Sequence, residues 1–257
     1  MRVSAGCTDL IPQDRAGLVK PATWADLRQV PGVQALQAEA ESIRLGSCVT
    51  HHRAAISADV RRGAAALAAA CASVGSRQVR ALGTVGGNAA NASPCADSTL
   101  ALAALGSTAV LRSKGGTREI PVEQLAAGPG ETVLEWGEVI EAFIVPVEAG
   151  ARSAHLKLGP RRVHAVAKVS VSSRATVEGG TLRGVRLFMG SVAPTIIRVP
   201  EAEAAVEGTR PTEAALAEVA AAVERAVRPI DDVRSTARYR RRTSGVLARR
   251  AIEALLS

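Results

Sequence analysis

Aromatic residues are nearly missing from this chain, with two Phe, two Trp and one Tyr among 257 residues. A nucleic-acid surface built on aromatic stacking platforms is thereby all but excluded, and the core must pack through aliphatic side chains. Cysteine is also sparse. Cys7, Cys48, Cys71 and Cys95 are widely spaced and fall in no CxxC or Cys/His ligand pattern. That spacing argues against a zinc or iron–sulfur site and against a disulfide framework. No apolar run reaches the roughly 18 residues of a membrane span, and no charged segment followed by an apolar one opens the chain. A soluble, cytoplasmic protein is expected.

What is present allows a substantial core. Hydrophobic residues make up 47% of the sequence, mostly Ala, Val and Leu, and the length suits two small domains. The net charge is +8. A basic balance fits nucleic acid, an anionic membrane or an acidic protein partner. The arginines are scattered apart from Arg161-Arg162 and Arg240-Arg241-Arg242, and the latter run reads as solvated surface. A phosphate-bearing cofactor or an acidic partner subunit accounts for the charge more economically than DNA.

Local patterning suggests mixed helix and strand. Arg2 to Leu10 reads as a short strand entering a tight turn at Ala5-Gly6-Cys7-Thr8-Asp9, and Ile43 to Leu45 as another strand. Ser57 caps a helix expected from Ala58 to about Val74, stopped by Gly75. A polar turn through Arg77, Gln78 and Arg80 leads to the most unusual stretch, Gly83-Thr84-Val85-Gly86-Gly87-Asn88-Ala89-Ala90-Asn91-Ala92-Ser93-Pro94. Ser93-Pro94 then reads as the cap and first turn of an apolar helix ending at Gly106. Thr108–Ser113 and Thr117–Pro121 form a hairpin, and Val139 to Val147 a further strand. The composition shifts near 148–152. Beyond it, Ala165 to Val177 and Leu182 to Gly190 pair around Gly179-Gly180, followed by helices from Pro200, from Thr212 to Val227 and from Ser235 to Leu256.

The Gly86-Gly87 pair carries the chemistry that residues alone can suggest. Residues without Cβ let a main chain approach a diphosphate and turn N–H groups toward it. Thr84, Asn88, Asn91 and Ser93 add uncharged hydrogen-bonding groups suited to ribose or ribityl hydroxyls. An ordinary glycine turn is the competing reading, outweighed by the density of small polar residues. Walker and dinucleotide-fold fingerprints are both absent.

Several stretches together resemble the FAD-binding medium subunit of molybdenum hydroxylases, the family of the xanthine dehydrogenase and aerobic carbon monoxide dehydrogenase flavoproteins. They are Thr84-Val85-Gly86-Gly87-Asn88, Asn91-Ala92-Ser93-Pro94 with Asp97, Ser76-Arg77-Gln78-Val79-Arg80, Gly128-Pro129-Gly130-Glu131-Thr132, Leu156-Lys157-Leu158-Gly159, Val192-Ala193-Pro194-Thr195 and Pro229-Ile230-Asp231-Asp232-Val233-Arg234. They span nearly the whole chain in order. The resemblance implies an α+β fold. Residues 1–150 would form a two-lobed α/β FAD-binding domain of the vanillyl-alcohol-oxidase/PCMH type. Residues 151–257 would form a C-terminal domain with an antiparallel sheet and helices.

The same resemblance implies site residues. FAD would be clasped by a first loop, Val3, Ser4, Ala5, Gly6, Cys7, Thr8, Asp9 and Leu10, and by Thr84, Gly86, Gly87 and Asn88 of a second. Asp97 would bond to it from the following helix, Ile140 would give an apolar contact, and Lys157 a polar one near the flavin. The family's first loop reads Ala-Gly-Gly-Thr-Asp, so Cys7 replaces its second glycine. Weakened or shifted cofactor contact is expected there, with Cys7 either a small buried filler or a redox-active thiol. His51-His52 reads as surface or helix-capping, while His155 and His164 flank the Lys157 region. No catalytic triad, carboxylate pair or metal site is expected in the chain.

In function, the resemblance implies an electron-relay subunit. A small partner would carry iron–sulfur clusters and a large partner the molybdenum cofactor, assembled as a dimer of heterotrimers. The flavin would pass electrons to NAD+, oxygen or a quinone-type acceptor. No iron–sulfur insertion of the kind some family members carry is expected. The first loop starts almost at Met1, where family members carry an extra strand and helix, so an exposed sheet edge is expected. With Cys7, that difference motivates an alternative, an FAD-poor structural scaffold. A nucleic-acid-binding protein is motivated by charge alone.

Overall fold

The computed structural model describes residues 2–161 and 163–257, so Met1 and Arg162 of the Arg161-Arg162 pair lie outside the described residues. The chain opens with β1 (Arg2–Ser4), α1 (Leu10–Arg15) and β2 (Trp24–Asp26), which pairs parallel to β1. Next come β3 (Leu36–Ala38) and β4 (Ser42–Gly46), then five short helices: α2 (His51–Ile56), α3 (Ala58–Gly63), α4 (Ala65–Ser73), α5 (Arg77–Leu82) and α6 (Val85–Ala90). Helix α7 (Asp97–Ala104) leads into the hairpin β5 (Thr108–Ser113) and β6 (Gly116–Pro121). The small pair β7 (Ala126–Gly128) and β8 (Glu131–Thr132) precedes β9 (Val139–Pro146), which returns between β4 and β5. The resulting five-stranded sheet, β3-β4-β9-β5-β6, is antiparallel throughout.

The second half is a four-stranded antiparallel sheet and three helices. Its strands are β10 (Ala151–Leu158), β11 (Val169–Glu178), β12 (Thr181–Gly190) and β13 (Ile197–Arg198), followed by α8 (Pro200–Ala204), α9 (Glu213–Ala226) and α10 (Ala237–Leu256). Thr212 and Thr236 cap α9 and α10, accepting from the N–H groups of Ala215 and Tyr239, both at 3.2 Å. The fold is the α+β arrangement that the resemblance implies.

Strand periodicity decides how the halves meet. Val169, Val171 and Ala175 of β11 and Val185, Leu187 and Met189 of β12 join the C-terminal core, against which α10 packs. The alternate residues point the other way, toward α4 and α7. There Phe188, 1% exposed, belongs to the first half's core. Ser153, His155 and Lys157 share that inward face of β10. Helix α7 is buried along its whole length because it lies between the two halves.

Four local expectations change. The helix expected from Ala58 to Val74 breaks at Ala64 (φ −144°), where Gly63 runs so close to Val147 that a Cβ would sit 2.8 Å from its Cγ2. The broken helix restarts because Ser153 of β10 accepts from the N–H of Ala66 at 3.0 Å. Arg77–Leu82 is a helix rather than a polar turn, capped by Ser76. Ser93 accepts from the N–H of Cys95 at 3.2 Å instead of capping a helix at Pro94, and α7 starts at Asp97. Further on, Arg240 is 3% exposed, not solvated: it donates to Asp232 (2.5 Å) and to the carbonyl of Ser191 (3.3 Å).

Phe188 is the aromatic plug between the halves. Truncation to Ala should leave a cavity and cost about 3–5 kcal/mol. Urea unfolding of Phe188→Ala, read by circular dichroism, checks this, and an unchanged midpoint would contradict the packing role.

Candidate functional site

The first loop is strand, tight turn, helix. Gly6 has no alternative there, since a Cβ would lie 2.0 Å from the carbonyl oxygen of Leu82. Cys7 adopts φ +56°, a conformation that glycine takes without strain, and its thiol lies 3.6 Å from the carbonyl of Ala5. The backbone therefore takes the left-handed turn despite the Cβ. Cys7 is half-buried rather than a fully buried filler. Among the described residues, nothing accepts a hydrogen bond from the main-chain N–H groups of Gly6, Cys7, Thr8 and Asp9. Four adjacent unpaired donors form an anion-binding concavity.

The second glycine-rich stretch is built differently. Gly86 and Gly87 lie inside the short helix α6, and its first donors are already used. Val85 donates to the carbonyl of Val49, Gly86 to that of Ser47, Gly87 to Oγ1 of Thr84, and Asn88 to the carbonyl of Thr84. Gly86 is buried because its backbone crosses that of Ser47: a Cβ would lie 2.4 Å from the Ser47 Cβ. So Gly86 serves chain packing, whereas Gly87 is exposed on the inner wall. Asn88 is held by α7, its Oδ1 accepting from Ser98 (2.6 Å) and Thr99 (3.4 Å). Its amide nitrogen is left for a ligand.

Between these stretches lies a cavity of about 590 Å³, within the usual size for cofactor sites. All fifteen expected residues line it: Val3 through Leu10, Thr84, Gly86, Gly87, Asn88, Asp97, Ile140 and Lys157. Sequence reasoning did not reach Ser47, Cys48, Val79, Leu134, Glu138 or Val166, which also line it, and it read His51 as surface or helix-capping, whereas that side chain is 2% exposed and lines the cavity because Gly83 and Thr84 pack across it. His164, noted only as flanking Lys157, reaches the wall as well. His155 does not, because it sits behind Asp97.

The polar end of the wall is a buried network between the halves. Asp97, 3% exposed, accepts from Nζ of Lys157 at 2.5 Å, and Lys157 also donates to the carbonyl of Ser73 at 3.1 Å. The lysine thus meets the last carbonyls of α4 and the acid in the first turn of α7, both favourable ends for those charges. Burial pushes the Asp97 carboxyl up, against the pull of Lys157. Nδ1 of His155 shares a 2.8 Å hydrogen bond with Ser172, its register partner on β11, and Nε2 lies 3.8 Å from Asp97. Burial, helped by the Lys157 ammonium, pushes His155 down to about 3, and burial with Arg80 pushes His51 down to about 4. At neutral pH both imidazoles are uncharged.

Ser47 Oγ, His51 Nδ1 and Asp97 Oδ1 are buried without a partner among the described residues. Orphaned polar atoms on a cavity wall are the mark of a ligand that completes them. Free main-chain donors, hydroxyl and amide groups, and the apolar side chains of Ile140, Leu134 and Val166 all line this cavity, a combination that fits a diphosphate joined to an apolar ring system. FAD has that chemistry.

The profile for the FAD binding domain in molybdopterin dehydrogenase matches residues 1–148, and that for the CO dehydrogenase flavoprotein C-terminal domain matches residues 154–255. The chain belongs to this family of FAD-binding subunits. The flavin subunit is 27% identical to the glyceraldehyde dehydrogenase medium chain of Sulfolobus acidocaldarius, over 98% of its own length and 89% of the relative's. It is 29% identical to the carbon monoxide dehydrogenase medium chain of Afipia carboxidovorans, over 98% and 88%. The structure of carbon monoxide dehydrogenase from Hydrogenophaga pseudoflava superposes with a TM-score of 0.95 at 27% identity, covering 100% of this chain and 90% of that one. The flavin subunit is therefore an oxidoreductase component. Among its described residues no helix is long and apolar enough to cross a membrane, and no group of three or more metal-binding side chains assembles.

The buried histidines give a pH dependence. Their folded pKa values lie below the ordinary value of about 6.5, so the unfolded chain takes up protons first as pH falls. Their stabilisation is present above about pH 6.5 and is lost on acidification toward pH 4 and 3. Each contributes a slope of about 1.4 kcal/mol per pH unit in that window, while Asp97, shifted upward, works in the opposite sense. The difference between wild type and His155→Asn, by denaturant unfolding from pH 7 to pH 5, isolates one slope. Parallel pH profiles would show that His155 is not held neutral.

Proposed function

We propose that this chain holds one FAD in the cavity and acts as the electron-relay subunit of a molybdenum hydroxylase. Residues 1–150 form the FAD-binding domain and residues 151–257 the C-terminal domain. The observation that carries the reading is that the N–H groups of Gly6, Cys7, Thr8 and Asp9 have no acceptor among the described residues, in a loop that lines a cavity of about 590 Å³. These donors, flanked by Val3, Ser4, Ala5 and Leu10, would hold the diphosphate. Gly87, Asn88 and Thr84 would face the ribityl or ribose hydroxyls, with Gly86 setting their position from behind. Ile140 would lie against the apolar ring, and Asp97 and Lys157 would close the site at the seam between the two halves.

Bound FAD would supply the coupling of one-electron to two-electron transfer. The chain's own residues orient the cofactor, exclude water from one face and fix the charge around it. Electrons would arrive from iron–sulfur clusters on a small partner subunit, and a large partner would carry the molybdenum cofactor and the substrate. NAD+, oxygen or a quinone-type molecule would accept the electrons, within a dimer of heterotrimers in the cytoplasm. The scaffold alternative gains no support from Cys7, whose backbone keeps the left-handed turn with the donors still unpaired.

The complex purified with its partners should release about one FAD per copy of this chain on acid treatment. Gly87→Asp, which puts a carboxylate on the exposed inner wall, should lose the flavin while circular dichroism shows the fold retained. A folded variant with full flavin content would refute the assignment of this wall.

A further inference from the structure

His155 lines no part of the cavity, yet its contacts lead to the lysine that does. Strand β10 turns it inward on the same face as Lys157, where it is buried and Nδ1 shares a 2.8 Å hydrogen bond with Ser172 Oγ. Its other nitrogen, Nε2, and Oδ1 of Asp97 are both buried with no hydrogen-bond partner among the described residues, and they lie 3.8 Å apart. The hydroxyl of Ser73, also beside Asp97, is spent on the carbonyl of Ala70 at 2.8 Å. Two orphaned atoms side by side, one from each half of the chain, are each other's compensation. A neutral imidazole carries one ring proton. The hydroxyl proton of Ser172 has no other side-chain partner among the described residues, so it goes to Nδ1 and the ring proton sits on Nε2, toward Asp97. The reverse assignment would strand the hydroxyl proton and turn a nitrogen lone pair toward the carboxylate. At 3.8 Å the contact is too long for a hydrogen bond; it is an N–H dipole held against a carboxylate in a low-dielectric seam.

Resting on the FAD reading above for its last link, we propose that His155 is a positioning residue for the cofactor site. As the Nε2–H tautomer fixed by Ser172, it steadies Oδ1 of Asp97 so that Oδ2 holds Lys157, whose remaining N–H is left for the flavin. The ammonium spends its other two protons on Asp97 and on the carbonyl of Ser73. Held in that orientation, it offers positive charge to the cofactor, which favours the uptake of electrons.

Long-range proton–nitrogen spectra of the full chain with labelled histidine test the first link, the His155 signals being those lost in His155→Gln. At pH 7 they should show the Nε2–H tautomer; an Nδ1–H ring or an imidazolium would overturn the assignment. The tautomer is read in the wild-type chain and decides even where a variant does not fold. For the second link, the midpoint potential and affinity of bound FAD are measured in His155→Leu and in His155→Gln, whose amide puts an N–H near the Nε2 position. His155→Leu should move the potential to a more negative value and weaken FAD about tenfold. His155→Gln should return both toward wild type. Lys157→Met combined with His155→Leu should lose no more than Lys157→Met alone, because His155 acts through the lysine. A wild-type potential in His155→Leu, equal shifts in both His155 variants, or additive losses in the double variant would each overturn the role. The expected tautomer in a chain that takes up no FAD would overturn the FAD reading and this role with it. The wrong tautomer in a chain that binds FAD would overturn the role alone.

Discussion

The pairing of Asp97 with Lys157 is the contact around which this molecule is organised. Burying two charges is expensive, and the arrangement tolerates it only because every nearby element contributes. Lys157 meets the carbonyl end of α4 as well as the carboxylate, and Asp97 occupies the first turn of α7, where a negative charge is favoured. Strand β10 delivers Ser153, His155 and Lys157 to one face by its two-residue period, and each reaches a different partner. At the other end of α7, Arg186 donates to the carbonyl of Ala103 (3.1 Å) and pairs with Glu123 (2.5 Å). A helix buried on all sides is thus pinned at both ends by residues from the opposite half of the chain.

The two glycine-rich stretches divide the work that one might assign to both. At Gly6 the missing side chain lets the first loop lie on the end of α5, and the donors that follow stay unpaired. At Gly86 it lets α6 lie on Ser47, and the donors there are consumed within the protein. One stretch is an anion receptor, while the other is a joint that aims Asn88 and Gly87. The same residue type satisfies two unrelated steric demands.

Much of this was legible in the residues and some of it could not be. Strands β4, β5, β9, β11 and β12 follow from alternation and turns, because their patterns are local. Which glycine faces a ligand is not a local property, so Gly86 looked like part of a phosphate cradle. His51 gave no signal because Thr-His-His resembles any helix start, and its burial depends on residues 83–86 crossing it. Arg240 looked solvated within a run of three arginines, but Asp232 and Ser191, distant in sequence, draw it inward. The helix that breaks at Ala64 restarts on Ser153, nearly ninety residues away. In each case the missing information was a partner supplied by the fold.

Because the wall of the cavity is completed by a lysine from the second half, the cofactor site has no owner among the two halves of the sequence. Neither half is a portable module. A chimera that joined the first half of this chain to the second half of a distant relative would inherit its Asp97 with someone else's partner. Asp97 and Lys157 are therefore coupled across the seam: replacing either one leaves the other's charge buried without its partner, although 59 residues of chain lie between them.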